Sequence, residues 1–108
     1  MAVELKENDR FVGYISLSRE PGRVQLGDAE IGFRFAKRAW GKGYATEAGK
    51  AVVRRVRTAK SAKRIVAIVD PNNLRSVRVV TKLGMVMEGE IMLDGYDYPD
   101  RLYGLVVT

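Results

Sequence analysis

The sequence predicts an α+β domain with a mixed, mostly antiparallel sheet and the element order β-β-β-α-β-α-β-β. Short segments of alternating apolar and polar residues fill the first third of the chain, which is typical of half-buried strands. A helical period of apolar residues begins at Gly43, and a second one follows a run that is apolar at nearly every position. Such a run is typical of a strand in the middle of a sheet. At 108 residues, the chain is expected to form a single domain.

The three N-terminal strands are predicted from β-forming residues and from the turns between them. The first strand lies within residues 2–5 and ends at a polar turn over residues 7–10. The second covers residues 11–17, and a loop with proline and glycine over residues 19–28 separates it from the third. The third strand, residues 29–35, has two distinct faces. Its apolar face consists of Ile31, Phe33 and Phe35, and its opposite face of Glu30, Gly32 and Arg34.

The first helix and the strand after it are predicted to form a crossover. The helix begins at Gly43 and carries one apolar face, which consists of Ala45, Ala48, Val52, Val56 and Ala59. Residues 64–70 then form a buried strand. We expect this β-α-β crossover to be right-handed and to place the strand parallel to the strand over residues 29–35. The remaining strand pairs should be mostly antiparallel.

Asn73 is predicted to cap the second helix, and Gly84 is predicted to follow its last turn. The residues of this helix that should face the core are Leu74, Val77, Val80 and Thr81. Strands over residues 85–93 and 102–107 complete the fold. A turn-rich segment over residues 94–100 connects them.

Composition narrows the chemistry that this chain can perform. The sequence has neither cysteine nor histidine, which excludes disulfides, thiolate or imidazole metal ligands, and a cysteine nucleophile or imidazole base. Catalysis would have to use carboxylates, hydroxyls, lysine, tyrosine or backbone dipoles, and no metal is expected. No apolar run approaches the roughly 20 residues of a membrane span, and no signal-peptide core is apparent. We therefore expect a cytoplasmic protein with no membrane partner.

The chain is basic, with a net charge of +6 and a pI near 9.8. This balance favours a polyanionic partner such as nucleic acid, an anionic membrane or a phosphate-rich cofactor, although solubility alone would also explain it. Nucleic acid is the less favoured partner, because a solvated helix face accounts for the basic run and no aromatic residues are interleaved with it. That run consists of Arg54, Arg55, Arg57, Lys60, Lys63 and Arg64.

Residues 38–45 form the most informative segment, because they join a strand to the start of a helix. The first N–H groups of a helix have no partner within the helix, and their dipoles attract anions. Gly41 and Gly43 lack side chains that would keep a phosphate away, and Arg38 and Lys42 add positive charge. The segment therefore predicts an anion site, the alternative being a tight loop whose glycines only supply positive φ.

Two other classes of glycine-rich loop fit this segment poorly. A P-loop ends in Gly-Lys-Ser/Thr, whereas Lys42 is followed by Gly43 and Tyr44. A dinucleotide-binding fingerprint requires a third glycine where Thr46 stands, and it has no antiparallel strands upstream.

Four motifs together resemble the GNAT superfamily of N-acetyltransferases, and the most similar branch contains the ribosomal-protein N-terminal acetyltransferases. The motifs are Ala-Glu-Ile-Gly-Phe from Ala29, Arg38-x-x-Gly41-x-Gly43-Tyr-Ala-Thr-Glu-Ala, Asn73-x-x-Ser76 and Lys82-Leu83-Gly84-Met85. Their order and spacing are specific, and the resemblance covers residues 11–108. It implies a GNAT-type sheet and acetyl-CoA as co-substrate, with the CoA pyrophosphate at the glycine turn and the pantetheine arm along the third strand. The implied cofactor-binding residues are Phe33, Arg34, Phe35, Arg38, Trp40, Gly41, Lys42, Gly43, Tyr44, Ala45 and Asn73.

The same resemblance implies Glu30 as the general base that takes a proton from the incoming amine, often through water. The alternative is a solvated strand carboxylate. At pH 7, deprotonating an α-amine costs roughly 1 kcal/mol and a lysine amine about 4–5 kcal/mol, which favours acceptors of low pKa. Ser76 is the candidate acid for the departing thiolate. Many family members use a tyrosine later on the second helix, but Val80 stands at that position here. Asn73 is expected both to cap its helix and to bind pantetheine.

The remaining expectations concern the acceptor and the assembly. Aromatic residues that could border an acceptor pocket are Trp40, Tyr96, Tyr98 and Tyr103. Family members carry a further strand and two helices before the strands seen here, and these form part of the acceptor cleft. Their absence from this sequence predicts an uncovered sheet face and hence a homo-oligomer, most simply a dimer. It also leaves a CoA-binding module without turnover as an alternative. The acceptor itself, a protein N-terminus or a small-molecule amine, stays open.

Overall fold

A computed structural model describes residues 2–7, 9–19 and 25–107 of the chain. The elements are β1 (Ala2–Glu7), β2 (Arg10–Ser18), β3 (Asp28–Phe35), a 3-10 turn (Lys37–Ala39), α1 (Tyr44–Ala59), β4 (Arg64–Val69), α2 (Leu74–Lys82), β5 (Val86–Ile91) and β6 (Asp100–Val106). The predicted α+β fold class and element order are confirmed. Part of the predicted loop over residues 19–28, namely residues 20–24, lies outside the described residues, as does Asn8 of the predicted polar turn.

The six strands form one sheet in the order β1-β2-β3-β4-β6-β5. β3 and β4 are parallel, as the crossover rule predicts, and the other neighbouring strands are antiparallel. The last strand begins two residues earlier than predicted, because Asp100 pairs with Ile91 at the end of β5.

Both helices cover the same face of the sheet. Apolar side chains of α1 and α2, such as Val53 and Val80, are buried in one cluster with Ile31 of β3 and Ile65 of β4. Met85, the last residue of the fourth motif, also lies in this cluster. In the part of the chain that the structure describes, neither helix covers the opposite face, which carries Glu30, Gly32 and Arg34 and is called the helix-free face below.

Three predicted core positions are wrong. Ala59, the last residue of α1, and Leu74, the first residue of α2, are exposed because they lie beyond the contact with the sheet; Leu74 is 60% exposed. Thr81 is also exposed, and its hydroxyl donates a 2.7 Å hydrogen bond to the carbonyl oxygen of Val77. Neither α1 nor α2 is long and apolar enough to cross a membrane.

The feature that creates the site is the separation of β3 from β4. Their pairing starts at Asp28 and Arg64 and ends at Glu30 and Val66. Beyond this point β3 stays paired with β2, and β4 with β6. The two central strands therefore open toward their C-terminal ends, and the edge of β3 over residues 31–35 that faces β4 has no strand partner in the sheet.

An ion-pair cluster holds the closed end of this opening. Nε and Nη2 of Arg64 donate to Oδ2 of Asp28 at 3.1 and 2.9 Å, and Nη1 donates to Glu88 on β5. The hydrogen bond to Asp28, and to a smaller extent the bond to Glu88, raises the pKa of Arg64 despite its partial burial. Because Asp28 is only 8% exposed, Arg64 supplies the positive charge that this buried carboxylate needs.

Candidate functional site

A cavity of about 660 Å³ opens between the C-terminal half of β3, the glycine turn (residues 40–43), the first turn of α1 and one side of α2. We call it the central cavity. It brings together ten of the residues singled out in the sequence: Phe33, Arg34, Phe35, Trp40, Gly41, Gly43, Tyr44, Ala45, Asn73 and Ser76. Segments that lie some 30 residues apart in the sequence thus meet at one site.

At Gly41 and Gly43 the glycine turn presents backbone rather than side chains to this cavity. Gly41 and Gly43 have φ of 78° and 80°, in the left-handed region that favours glycine. A methyl group added to either would meet no atom within 4 Å, so the space beside both residues is open. The two glycines supply positive φ and also border the cavity, so an anion site and a tight loop are compatible interpretations of this segment.

The N-terminus of α1 lies open at the cavity. Gly43 is its N-cap and makes no side-chain capping bond, and the first helical bond runs from the Glu47 N–H to the Gly43 carbonyl oxygen at 2.9 Å. In the described residues, the N–H groups of Ala45 and Thr46 have no backbone partner. Both residues line the cavity. Unpaired N–H groups at a helix start are a general means of binding an anion.

Trp40 links three parts of the site. Its indole Nε1 donates to the Phe35 carbonyl oxygen at 3.1 Å, which orients the ring against the end of β3. The guanidinium carbon of Arg75, from α2, lies 3.4 Å from the ring centre, and Nζ of Lys37 lies at 5.8 Å. Such cation–π contacts contribute about 0.5–2 kcal/mol each. Trp40 therefore holds the glycine turn against both β3 and α2.

Two predicted cofactor residues do not line the cavity. The guanidinium of Arg38 donates to the carbonyl oxygen of Phe11 and so fastens the start of the turn to β2. Lys42 is exposed and lies outside the lining. The expectation that these two side chains add their charge to the anion site is not supported by their placement.

α2 contributes more to the cavity than the sequence suggested. Oδ1 of Asn73 accepts the Ser76 N–H at 3.2 Å, which confirms the predicted N-cap. Arg75, Arg78 and Lys82 also line the cavity, although none of them was predicted to be a site residue. Their spacing of three and four residues, which places them on one side of a helix, is the signal that could have identified them.

Glu30, the predicted general base, lies at the closed end of the opening. It is half-buried and belongs to the last paired residues of β3 and β4, opposite Val66. Its side chain is on the helix-free face, because it alternates with Ile31, and it does not line the central cavity. The Glu30 carboxylate and a ligand in the central cavity would thus reach the opening between β3 and β4 from different faces of the sheet.

The aromatic residues proposed for an acceptor pocket lie outside the central cavity, except Trp40. Tyr103 is buried in the core, so it serves packing. The Tyr98 hydroxyl donates to Oδ2 of Asp70 at 2.8 Å, just beyond the end of β4. A hydrogen bond with the Asn72 side chain lowers the Tyr98 pKa, but the bond to Asp70 and the charges of Asp70 and Asp100 outweigh it and raise the pKa overall.

Comparison with known proteins agrees with this geometry. A family described as "Acetyltransferase (GNAT) domain" matches residues 1–86. The uncharacterized N-acetyltransferase p20 of Bacillus licheniformis is 32% identical over 91 residues, which cover 82% of this chain and 48% of that protein. A GNAT acetyltransferase structure from Bacillus anthracis superposes with a TM-score of 0.77 at 30% identity, over 91% of this chain and 60% of the other.

A third protein shares the fold alone. The microcin C7 self-immunity acetyltransferase MccE, crystallised with acetyl-CoA and AMP, has a TM-score of 0.81 at 23% identity, over 98% of this chain and 61% of that one. The chain spans about half the length of the curated N-acetyltransferase relatives that it matches.

Proposed function

Because the chain belongs to the GNAT acetyltransferase family, we propose that it is an N-acetyltransferase that passes the acetyl group of acetyl-CoA directly to a primary amine. The observation that carries this proposal is the central cavity, which joins the unpaired edge of β3 to the open N-terminus of α1. We place the chain nearest to the ribosomal-protein N-terminal acetyltransferase branch, on the motifs from Arg38 to Met85. The acceptor class is a protein N-terminus or a small-molecule amine.

The cofactor would lie along the cavity with its diphosphate at the glycine turn. The N–H groups of Ala45 and Thr46 and the dipole of α1 favour negative charge there. The pantetheine arm would pair with the free edge of β3 as an added strand does. The amide group of Asn73, whose oxygen caps α2, leaves its NH₂ donors for the same arm.

In the chemical step, the neutral amine attacks the thioester carbonyl carbon, so that a C–N bond forms and the C–S bond breaks. The proton of the attacking amine goes to the Glu30 carboxylate through a water molecule, and the coenzyme A thiolate leaves. The Ser76 hydroxyl, at the cavity wall, would donate a hydrogen bond or proton to this thiolate. A thiol pKa near 8.5 makes the thiolate a good leaving group, so we expect the acid to contribute less than the base.

A CoA-binding module without turnover is the second candidate. The chain spans about half of its N-acetyltransferase relatives, and the helix-free face carries Glu30 without a helix over it in the described residues. A homodimer would cover this face and could complete the acceptor side, and we propose that assembly, in the cytoplasm, together with the enzyme. Light scattering over a concentration series should show a dimer; a monomer at every concentration would refute the assembly and leave the cofactor site untouched.

The test is calorimetric titration of the purified chain with acetyl-CoA, using Gly41→Glu and Gly43→Glu as variants. Gly95→Glu is the matched control, because Gly95 also has positive φ, at 85°, and no atom within 4 Å of an added methyl group, yet it lies outside the cavity. We expect the two turn variants to lose binding and the control to keep it. Binding that survives both turn variants, or is absent from folded wild-type protein, would refute the cofactor site.

Turnover is measured in the same preparation by release of free thiol with a panel of amines. The chain has no cysteine, so a thiol reagent reports only coenzyme A. Acetyl-CoA binding with thiol release from at least one amine supports the enzyme, and Glu30→Gln should then lower the rate by about 10²–10⁴-fold without weakening acetyl-CoA binding. Binding without release from any amine would favour the module instead.

A further inference from the structure

The central cavity is strongly cationic. Among the described residues, four basic residues border it, Arg34, Arg75, Arg78 and Lys82, and no aspartate or glutamate does. Arg34 contributes from β3, where its side chain alternates onto the helix-free face, so the cationic side chains at the cavity are those of α2. Within residues 2–7, 9–19 and 25–107, none of these four basic residues forms an ion pair, whereas Arg64 on β4 forms two. Like charges three and four residues apart on a helix repel each other. The row Arg75, Arg78 and Lys82 therefore weakens α2 unless an anion lies against it.

The number of charges exceeds what a diphosphate requires. A diphosphate carries about two negative charges, and the open N-terminus of α1 already supplies roughly half a positive charge and N–H donors for it. Coenzyme A carries a further phosphate, the 3′-monoester of its ribose, which adds nearly two charges near neutral pH. The three cations of α2, together with the positive end of α1, approach the charge of the whole molecule and exceed that of the diphosphate alone.

The three basic residues of α2 are not equivalent. Arg75, in the first turn, stacks on Trp40 at 3.4 Å and so is engaged with the glycine turn. Arg78 and Lys82 lie further along the same side, within roughly 60° of arc at 100° per residue. Leu83, the C-cap of α2, would lie 3.0 Å from a methyl group added to Gly49, so the end of α2 packs against the second turn of α1. Arg78 and Lys82 border the cavity from α2, and Gly41 and Gly43 border the same cavity from the glycine turn.

We propose that Arg78 and Lys82 bind the 3′-phosphate of coenzyme A and so select it over the dephosphorylated form. This inference rests on the proposed function, and it assigns a second anion site in the same cavity, separate from the backbone site at the glycine turn. Arg75 holds the wall in place through Trp40 rather than by binding this phosphate.

The experiment compares acetyl-CoA with acetyl-3′-dephospho-CoA by calorimetry, with Trp40 fluorescence as a second readout. Trp40 is the only tryptophan of the chain and lines the cavity. We expect wild-type protein to bind acetyl-CoA at least tenfold more tightly. In the double variant Arg78→Gln/Lys82→Gln, acetyl-CoA affinity should fall to that of the dephosphorylated compound, whose own affinity should change less than twofold. Arg54→Gln/Arg57→Gln, with the same charge change at exposed positions of α1, should keep the full preference.

Three other outcomes of this experiment would refute the inference. If wild-type protein binds both compounds equally, the 3′-phosphate site is refuted and the acetyl-CoA site stands. If the Arg78/Lys82 variant loses both compounds to the same extent, these residues hold the diphosphate and the inference is also refuted. If wild-type protein binds neither compound, the proposed function fails and the inference falls with it. Urea unfolding of both double variants checks that they are folded.

Discussion

Replacing Arg64 by methionine should destabilise the protein more than any other single change in its ion-pair cluster. The substitution keeps an aliphatic side chain to pack on the sheet but removes the guanidinium that donates to Asp28 at 3.1 and 2.9 Å. Asp28 would then be a carboxylate at 8% exposure without a positive partner. The cluster joins β3, β4 and β5 at the closed end of the opening, so its loss acts on the centre of the sheet.

The expected loss in the free energy of unfolding depends on how deeply each partner of the ion pair is buried. Breaking a fully buried ion pair from one side costs about 3–5 kcal/mol. The Arg64 side chain is 24% exposed and that of Asp28 10%, so solvent screening reduces this to about 2–3 kcal/mol. Glu88, at 32% exposure, is more strongly screened, and Glu88→Gln should cost only about 0.5–1 kcal/mol.

Urea unfolding followed by circular dichroism measures these differences. With a urea dependence of about 1–3 kcal/mol per molar, Arg64→Met should lower the midpoint by about 1–2 M and Glu88→Gln by less than half as much. Adding Asp28→Asn to Arg64→Met should cost less than the sum of the two single changes, because the second change removes the unpaired charge. A cost of Arg64→Met below about 0.5 kcal/mol, or equal to that of Glu88→Gln, would refute the reasoning.

Three further changes test other contacts of the fold. Gly49→Leu should destabilise by about 1–3 kcal/mol, seen as a lower thermal midpoint, because an added methyl group already meets Leu83 at 3.0 Å; no loss would disprove the tight contact between α1 and α2. Asn73→Ala should cost about 1 kcal/mol in urea, with Asn73→Ser as the control that keeps a cap. The raised pKa of Tyr98 means that its contribution to stability is present below its ordinary pKa near 10 and is lost as pH rises through the folded value. The advantage of wild-type protein over Tyr98→Phe in urea should therefore shrink above about pH 10, and an advantage that grows with pH would contradict the bond to Asp70.

The fold could be predicted from the sequence because its signals are local. Alternation in residues 29–35, the change of period at Gly43 and the capping sequence at Asn73 each fix one element without reference to the rest, and the order follows from them. Errors were confined to element ends. Leu74 is apolar and has the right helical spacing, yet it is exposed because α2 contacts the sheet only from its second turn onward.

The site could be predicted only where backbone chemistry defines it. Gly41 and Gly43 were predicted from their place in a strand-to-helix turn, and both have positive φ and border the cavity. Charged side chains are different, because their reach depends on tertiary packing. Arg38 lies in the motif but bonds to Phe11 on β2, and Arg78 lies outside every motif but lines the cavity. No local pattern separates these two arginines; only the approach of α2 to α1 does.

The opening between β3 and β4 costs the sheet little, and this explains how a small chain can form the central cavity. Each of the two strands keeps one hydrogen-bonded neighbour to its end, Phe35 with Gly13 of β2 and Val69 with Arg101 of β6. Only the inner edges lose partners, and backbone groups on an open edge can bond to water or to a ligand. The Asp28–Arg64 pair closes the opening at one end, and the glycine turn and α2 border the other. Ligand binding at such an edge restores the hydrogen bonds that the sheet gives up, so a gain in thermal stability with acetyl-CoA should accompany binding and be lost in Gly43→Glu.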